Sequence, residues 1–268
     1  MRPHFIVIGA MKSGTSSLYR YVASHPDVSP SSTKETDFFT TDSNFRRGVE
    51  WYSSLFRDEG KIAFEASPNY AKRHLFPGVP GRMHSVLPRA KLAYVLRDPI
   101  DRAVSHYTHS RLTGRESRPF SEAIQDPASK YIQTSKYFHQ LEAFLEHYRK
   151  SQILFVESDG LHSDTTNAVT EIFRFLGLSP TCNDRILKRR FHVTCRWSRG
   201  RVIGQEIPGR AKEPGMHSGL DSTYAPPGQS VERLRLSSAD LKTLSNALTP
   251  DVDKLRRFSG LAFPGWSL

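Results

Sequence analysis

Residues 5–18 read Phe-Ile-Val-Ile-Gly-Ala-Met-Lys-Ser-Gly-Thr-Ser-Ser-Leu: an apolar run, a turn rich in glycine and hydroxyl groups, then the opening of a helix. A strand that enters a helix this way offers an anion its backbone N–H groups and the positive end of the helix dipole, about half an elementary charge. Lys12, Ser13, Thr15 and Ser16 add side-chain donors at the same place, Gly14 supplies the bend, and Ser17 extends the hydroxyl run. Gly9 and Gly14 are spaced as in a phosphate-cradling P-loop, but Thr15 follows Gly14 and the lysine has moved forward to Lys12. Without the Gly-Lys-Ser/Thr order no hydroxyl is clearly placed to hold Mg²⁺ beside a triphosphate. The loop therefore suits an anionic group handled without a metal.

Outward from this loop, apolar runs at 61–66, 91–96 and 152–156 have, like 5–8, the length of strands buried in a parallel sheet. Helical stripes separate them. Ile100, Val104 and Tyr107 recur on one face after an Asp98-Pro99 start; Phe138, Leu141, Leu145 and Tyr148 form a second stripe; Val169, Ile172, Phe173 and Leu176 form a third that stops at Gly177. Thr249-Pro250 opens a last short helix through Leu255, and 196–228 reads as one long loop. The expectation is an α/β fold: a single P-loop-like domain over residues 1–268, with a central parallel sheet flanked by helices. In such sheets ligands bind outside the carboxyl ends of the strands, where the 9–17 loop, Glu65 and Arg97 all fall.

Four further segments point the same way. Lys34-Glu35-Thr36-Asp37-Phe38-Phe39, Phe64-Glu65-Ala66-Ser67-Pro68-Asn69-Tyr70, the stretch Leu96-Arg97-Asp98-Pro99 through Ser105-His106-Tyr107, and Ser198-Arg199-Gly200-Arg201 follow the loop in this order. Together the five segments resemble the sulfotransferases that use 3′-phosphoadenosine 5′-phosphosulfate (PAPS), most closely the heparan-sulfate type and its bacterial relatives. The resemblance implies that Lys12, Ser13, Gly14, Thr15, Ser16 and Ser17 hold the 5′-phosphosulfate, Arg97 and Ser105 the 3′-phosphate, and Arg199, Gly200 and Arg201 a loop closing over the nucleotide. It implies Lys12 and Glu65 as catalytic residues, Lys12 stabilising charge on the bridging oxygen and Glu65 taking the acceptor's proton. The residue after Glu65 is Ala66, where the family commonly has lysine, so that lysine's part is missing or supplied from elsewhere. On chemistry alone His106 and His109 compete with Glu65 as bases.

Charge bounds the partners independently. The net charge is +11, and residues 181–220 carry nine Lys/Arg against three Asp/Glu, an excess of +6 that expects an anionic partner. Two rivals to sulfonate transfer follow: a P-loop kinase or NTPase using Asp98 as its Mg²⁺ ligand, and a non-catalytic basic module that binds nucleic acid or acidic glycan. The resemblance favours PAPS as co-substrate without metal and a small-molecule or carbohydrate acceptor, with no nucleic acid or membrane partner. The apolar run at 5–8 is far shorter than the ~20 residues of a membrane span, which leads to a cytoplasmic location. Cys182 and Cys195 are too few for a disulfide framework or a zinc site, and in a reducing cytosol they read as free thiols.

Overall fold

A computed structural model of the chain describes residues 4–57, 60–181, 184–187, 195–198, 201–204, 230–232 and 234–268. Five parallel strands form the central sheet: β1 (His4–Gly9), β2 (Val28–Pro30), β3 (Ile62–Ala66), β4 (Lys91–Leu96) and β5 (Ile153–Glu157). Their order is β2-β3-β1-β4-β5, so β1 lies at the centre between β3 and β4. The four apolar runs read from sequence are β1, β3, β4 and β5. β2 went unread because it is three residues long and ends on Pro30, which cannot donate to a ladder.

Alternation along the strands splits the core into two layers. Phe5, Val7, Phe64, Ala66, Ala93 and Val95 face α1 (Thr15–Val22), along with the helix Thr165–Leu176. Ile6, Ile8, Ala63, Leu92, Tyr94 and Leu96 face the other side, where α2 (Val79–Val86) packs. α3 (Pro99–Leu112) leaves the end of β4, with Asp98 accepting from the Asp101 N–H at 2.8 Å as its N-cap and Pro99 in the first turn. α4 (Tyr137–Leu145) covers the face shared with α2 and carries Phe138, Leu141 and Leu145 of the expected stripe, while the buried Tyr148 lies beyond its end. α5 (Thr165–Leu176) ends at Gly177, whose φ of 77° is the left-handed C-cap the sequence signalled.

The last helix differs from its reading. α6 spans Ser238–Ser259, with Pro250 inside it rather than at its start. Ser237 and Asp240 form a reciprocal capping box that begins the helix well before the proline. Leu244, Leu248, Val252 and Leu255, all fully buried, continue one stripe across Pro250, and their packing outweighs the hydrogen bond the proline removes. β6 (Cys195–Ser198) and β7 (Arg201–Gly204), at the start of the region read as one long loop, and β8 (Ser230–Glu232), just beyond its end, form a separate antiparallel sheet. Among the described residues no helix is long and apolar enough to cross a membrane.

Candidate active site

The carboxyl ends of β1, β3 and β4 meet where the sequence placed its anion loop. Gly9 closes β1, and a Cβ there would stand 2.8 Å from the Cβ of Ala71 and 3.1 Å from the Tyr94 ring. Only glycine lets the chain pass between these walls, so the start of the loop is pinned against the 3₁₀ turn Pro68–Ala71. Lys12 takes φ 72° and Gly14 φ 91°, two left-handed residues that turn the chain into α1. A lysine in that region is strained by about 1–3 kcal/mol, a cost met at ligand-binding turns. Gly14 opens α1 with no side-chain cap, Thr15 and Ser17 are buried in its first turn, and the Ser13 hydroxyl is buried with no hydrogen-bond partner of ordinary geometry. A buried orphan hydroxyl beside an uncapped helix start fits a bound anion.

Arg97 follows the last residue of β4, its side chain about one-third exposed and its Nη2 3.1 Å from Asp101 Oδ2. That exposed i,i+4 pair is worth a few tenths of a kcal/mol, little against a phosphate dianion. The Arg97 carbonyl accepts from the Tyr137 hydroxyl at 2.8 Å, which fixes the backbone. Ser105 lies half-buried on α3. Asp98 spends both oxygens: Oδ1 caps α3, and Oδ2 accepts from Ser267 through its N–H at 2.5 Å and its hydroxyl at 2.6 Å. The metal ligand required by a kinase reading is therefore committed to the fold. Arg102 is buried outright, its Nε on Ser135 Oγ at 2.7 Å and its Nη2 on the Tyr131 carbonyl at 2.6 Å, and it anchors α3 rather than facing a ligand.

Glu65 sits at the end of β3 as expected, but its surroundings are not those of a base. It is 0 % exposed, and its carboxylate accepts from Thr36 at 2.6 Å, Tyr52 at 2.7 Å, Ser67 at 3.0 Å and Tyr70 at 3.1 Å. A carboxylate offers about four lone-pair sites, and four hydroxyls fill them. Burial pushes the carboxyl up, and the hydroxyl bonds pull it back toward the charged form. Strand alternation sets its direction: Phe64 and Ala66 face α1, so Glu65 points the other way, into the Tyr52–Tyr70 layer.

The histidines are no better as bases. His106 is buried with its Nδ1 3.3 Å from Arg102, and burial followed by the Arg102 charge holds it well below the usual imidazole range. His109 has no hydrogen-bond partner at either ring nitrogen; burial, then Lys12, Arg115 and Lys72, bring it down to about 3. Both rings are neutral and weakly basic.

Two other carboxylates stand beside the end of β3. Glu35 and Asp37 flank Thr36 with φ of 61° and 50°, two more left-handed positions. The Glu35 N–H bonds the Ala66 carbonyl at 3.1 Å and its side chain pairs with Lys34, while its charge reaches His109, which also feels Lys12. Asp37 Oδ2 accepts from Asn69 at 3.0 Å, and its Oδ1 is buried without a partner. Burial, opposed by Asn69, pushes this carboxyl up to about 7. Lys72, 6 % exposed, donates to Asn69 Oδ1 at 2.6 Å. Sequence reasoning had passed over Asn69 and Lys72, which lie in or just after a segment it had quoted.

Arg201 starts β7, paired with Ser198 across the hairpin, whereas Arg199, Gly200 and Cys182 lie outside the described residues.

A sulfotransferase from Alicyclobacillus acidocaldarius shares the fold at a TM-score of 0.70 and 24% identity, with 100% of both chains covered. Mouse bifunctional heparan sulfate N-deacetylase/N-sulfotransferase 4 is 31% identical over 206 residues, 68% of this chain and 23% of that protein. Mouse heparan sulfate glucosamine 3-O-sulfotransferase 3A1 is 32% identical over 194 residues, 68% of this chain and 48% of that one. The chain thus spans less than half the length of these relatives. Residues 2–201 match the family model described as the sulfotransferase domain, and that span holds the anion loop, both turns of carboxylates and the arginine motif. The chain belongs to the sulfotransferase domain family.

Proposed function

We propose that this chain transfers the sulfonate of PAPS to an acceptor hydroxyl or amine. The observation that carries the reading is the meeting of the Lys12 loop with Arg97 at the ends of neighbouring strands β1 and β4, two anion sites in one crevice. PAPS would supply the sulfonate together with two phosphates to grip. Lys12, Ser13, Thr15 and Ser16 take the 5′ end, Arg97 and Ser105 the 3′-phosphate, and Arg201, with Arg199 and Gly200, the closing loop. The acceptor atom bonds to sulfur, the bond from sulfur to the 5′-phosphate oxygen breaks, and the electron pair leaves on that oxygen, where the Lys12 charge stabilises it. The acceptor's proton goes to a carboxylate.

We assign that proton to Glu35 rather than Glu65. Glu35 is tied to the end of β3 by its N–H bond to the Ala66 carbonyl, and its charge and that of Lys12 both act on His109, whereas the lone pairs of Glu65 are taken by four hydroxyls. Glu65 is a positioning residue, holding Thr36 between Glu35 and Asp37. The two relatives are named for nitrogen and for 3-hydroxyl transfer on heparan sulfate, so a glucosamine-containing acidic oligosaccharide is the first acceptor to try. Calorimetry with the desulfated nucleotide PAP, without divalent metal, tests the donor site directly. Micromolar binding is expected, and Lys12→Ala should weaken PAP, whose 5′-phosphate keeps the anionic oxygen that Lys12 faces, and lose about 10²–10³-fold in turnover. A wild-type protein that binds neither PAP nor PAPS ends this reading.

A further inference from the structure

We propose that Lys72 is a second cation on the transferring sulfonate, standing in for the lysine that the family commonly carries at the position of Ala66. The inference rests on the PAPS reading of the crevice and adds to it a residue that no motif contains.

The placement comes from backbone geometry. Ala71 is the residue whose Cβ blocks any side chain at Gly9, so the turn Pro68–Ala71 presses on the point where β1 becomes the anion loop. Lys72 is the next residue. Its backbone carbonyl accepts from the N–H groups of Leu75 and Phe76, both at 2.8 Å, which fixes the start of its side chain. The far end is fixed too: Nζ donates to Asn69 Oδ1 at 2.6 Å, and Asn69 donates onward to Asp37 Oδ2 at 3.0 Å. A lysine 6 % exposed and held at both ends is a positioned charge rather than a mobile surface cation.

Its field falls where the Lys12 field falls. His106 and His109 sit one turn apart on α3, and both are depressed by burial and by the charges of Lys12 and Lys72 together. Arg102 bears on His106 as well, Arg115 and Glu35 on His109, and Glu35 and Glu65 bear with Lys72 on Asp37. The two lysines come from different segments, one from the loop after β1 and one from the turn after β3, and the close approach of Ala71 to Gly9 brings those segments together. A sulfonate transferring in line spreads charge over its three non-bridging oxygens as well as the leaving oxygen, and one lysine covers only part of it. Ala66 brings no cation to that group; Lys72 reaches it from the other end of the same turn.

A contact to sulfonate is made with PAPS and not with PAP, and the difference in affinity isolates it without an acceptor. Calorimetry on the wild type and on Lys72→Met, a neutral chain of similar length, should show PAP affinity within about threefold and PAPS affinity lower by about ten- to hundredfold, the range for one charged hydrogen bond. Loosening of Asn69 and Asp37 would move both nucleotides together. If Lys72→Met weakens PAP and PAPS equally, or leaves both unchanged, the assignment is overturned while the PAPS reading stands. If the wild type binds neither nucleotide, it is the reading of the crevice that has failed. Thermal unfolding of the variant in the same buffer shows that the compared proteins are folded.

Discussion

The crevice has two walls built on different plans. On the proposed donor side, residues 9–17 and 97–105 are continuous in sequence, and they offer backbone N–H, hydroxyls and one arginine that pairs locally with Asp101 and is held at its carbonyl by the Tyr137 hydroxyl 40 positions on. On the acceptor side, Glu35, Asp37, Glu65, Asn69 and Lys72 come from two turns about 30 positions apart, and side-chain bonds such as Thr36–Glu65 and Asn69–Asp37 hold them together. In the proposed function the first wall grips the nucleotide, mostly with groups that are close in sequence. The second is a buried polar network, in which each group is placed by another and a single change is felt by several.

The contrast breaks most sharply at the two glutamates. Glu35→Gln should lower kcat by about 10²–10⁴-fold and leave the affinity for PAP unchanged, as loss of a general base does. Glu65→Gln should turn over within a few-fold of wild type but unfold earlier, because its amide faces hydroxyl donors and costs about 1–3 kcal/mol of hydrogen bonding. Steady-state kinetics and thermal unfolding on both variants decide it; the reverse pattern would return the base to Glu65.

A smaller effect is expected on the donor wall. Arg97→Ala should weaken PAP by about 1.5–3 kcal/mol, roughly 10- to 150-fold, and hardly change adenosine 5′-phosphosulfate, which lacks the 3′-phosphate. Ser105→Ala should act in the same direction by about 1 kcal/mol. Equal losses for both nucleotides would remove these residues from the 3′-phosphate and make this wall as diffuse as the other.

The smallest effect is a pH dependence of the acceptor wall. Burial raises the Asp37 carboxyl to about 7, above its unfolded value near 4. The neutral form is the one the fold prefers, so this contribution is complete below pH ~4 and is lost as pH rises through about 7. Asp37→Asn does not titrate. Its melting temperature relative to wild type should therefore climb between pH 5 and pH 8, by about 2–4 °C for each kcal/mol involved. A constant difference across that range would mean that Asp37 is ionised throughout.

How much was legible in the sequence follows the same division. The anion loop, the Asp98-Pro99 helix start and the arginine motif are runs of neighbouring residues whose chemistry is set by spacing, and each lies where it was read. Glu65 lies at a strand end as read, but position along a strand does not reveal what the side chain meets. Its partners Thr36 and Tyr52 are 29 and 13 positions away. Lys72 could not be read at all: it belongs to no motif, and only the packing of Ala71 on Gly9 brings it to the site. Pro250 misled for the opposite reason, since a strong local signal was overruled by the buried stripe from Leu244 to Leu255.

The bond from Ser267 to Asp98 has a consequence for how the protein is made. Its two ends are 169 positions apart, and at about 5–20 residues per second a ribosome needs roughly 10 to 30 seconds to travel from one to the other. During that interval a nascent chain already carries its whole anion loop and Arg97, while the carboxylate beside Arg97 still lacks the donors that will fasten it. The carboxylate next to Arg97 is thereby fully partnered only once a residue beyond α6 has been made.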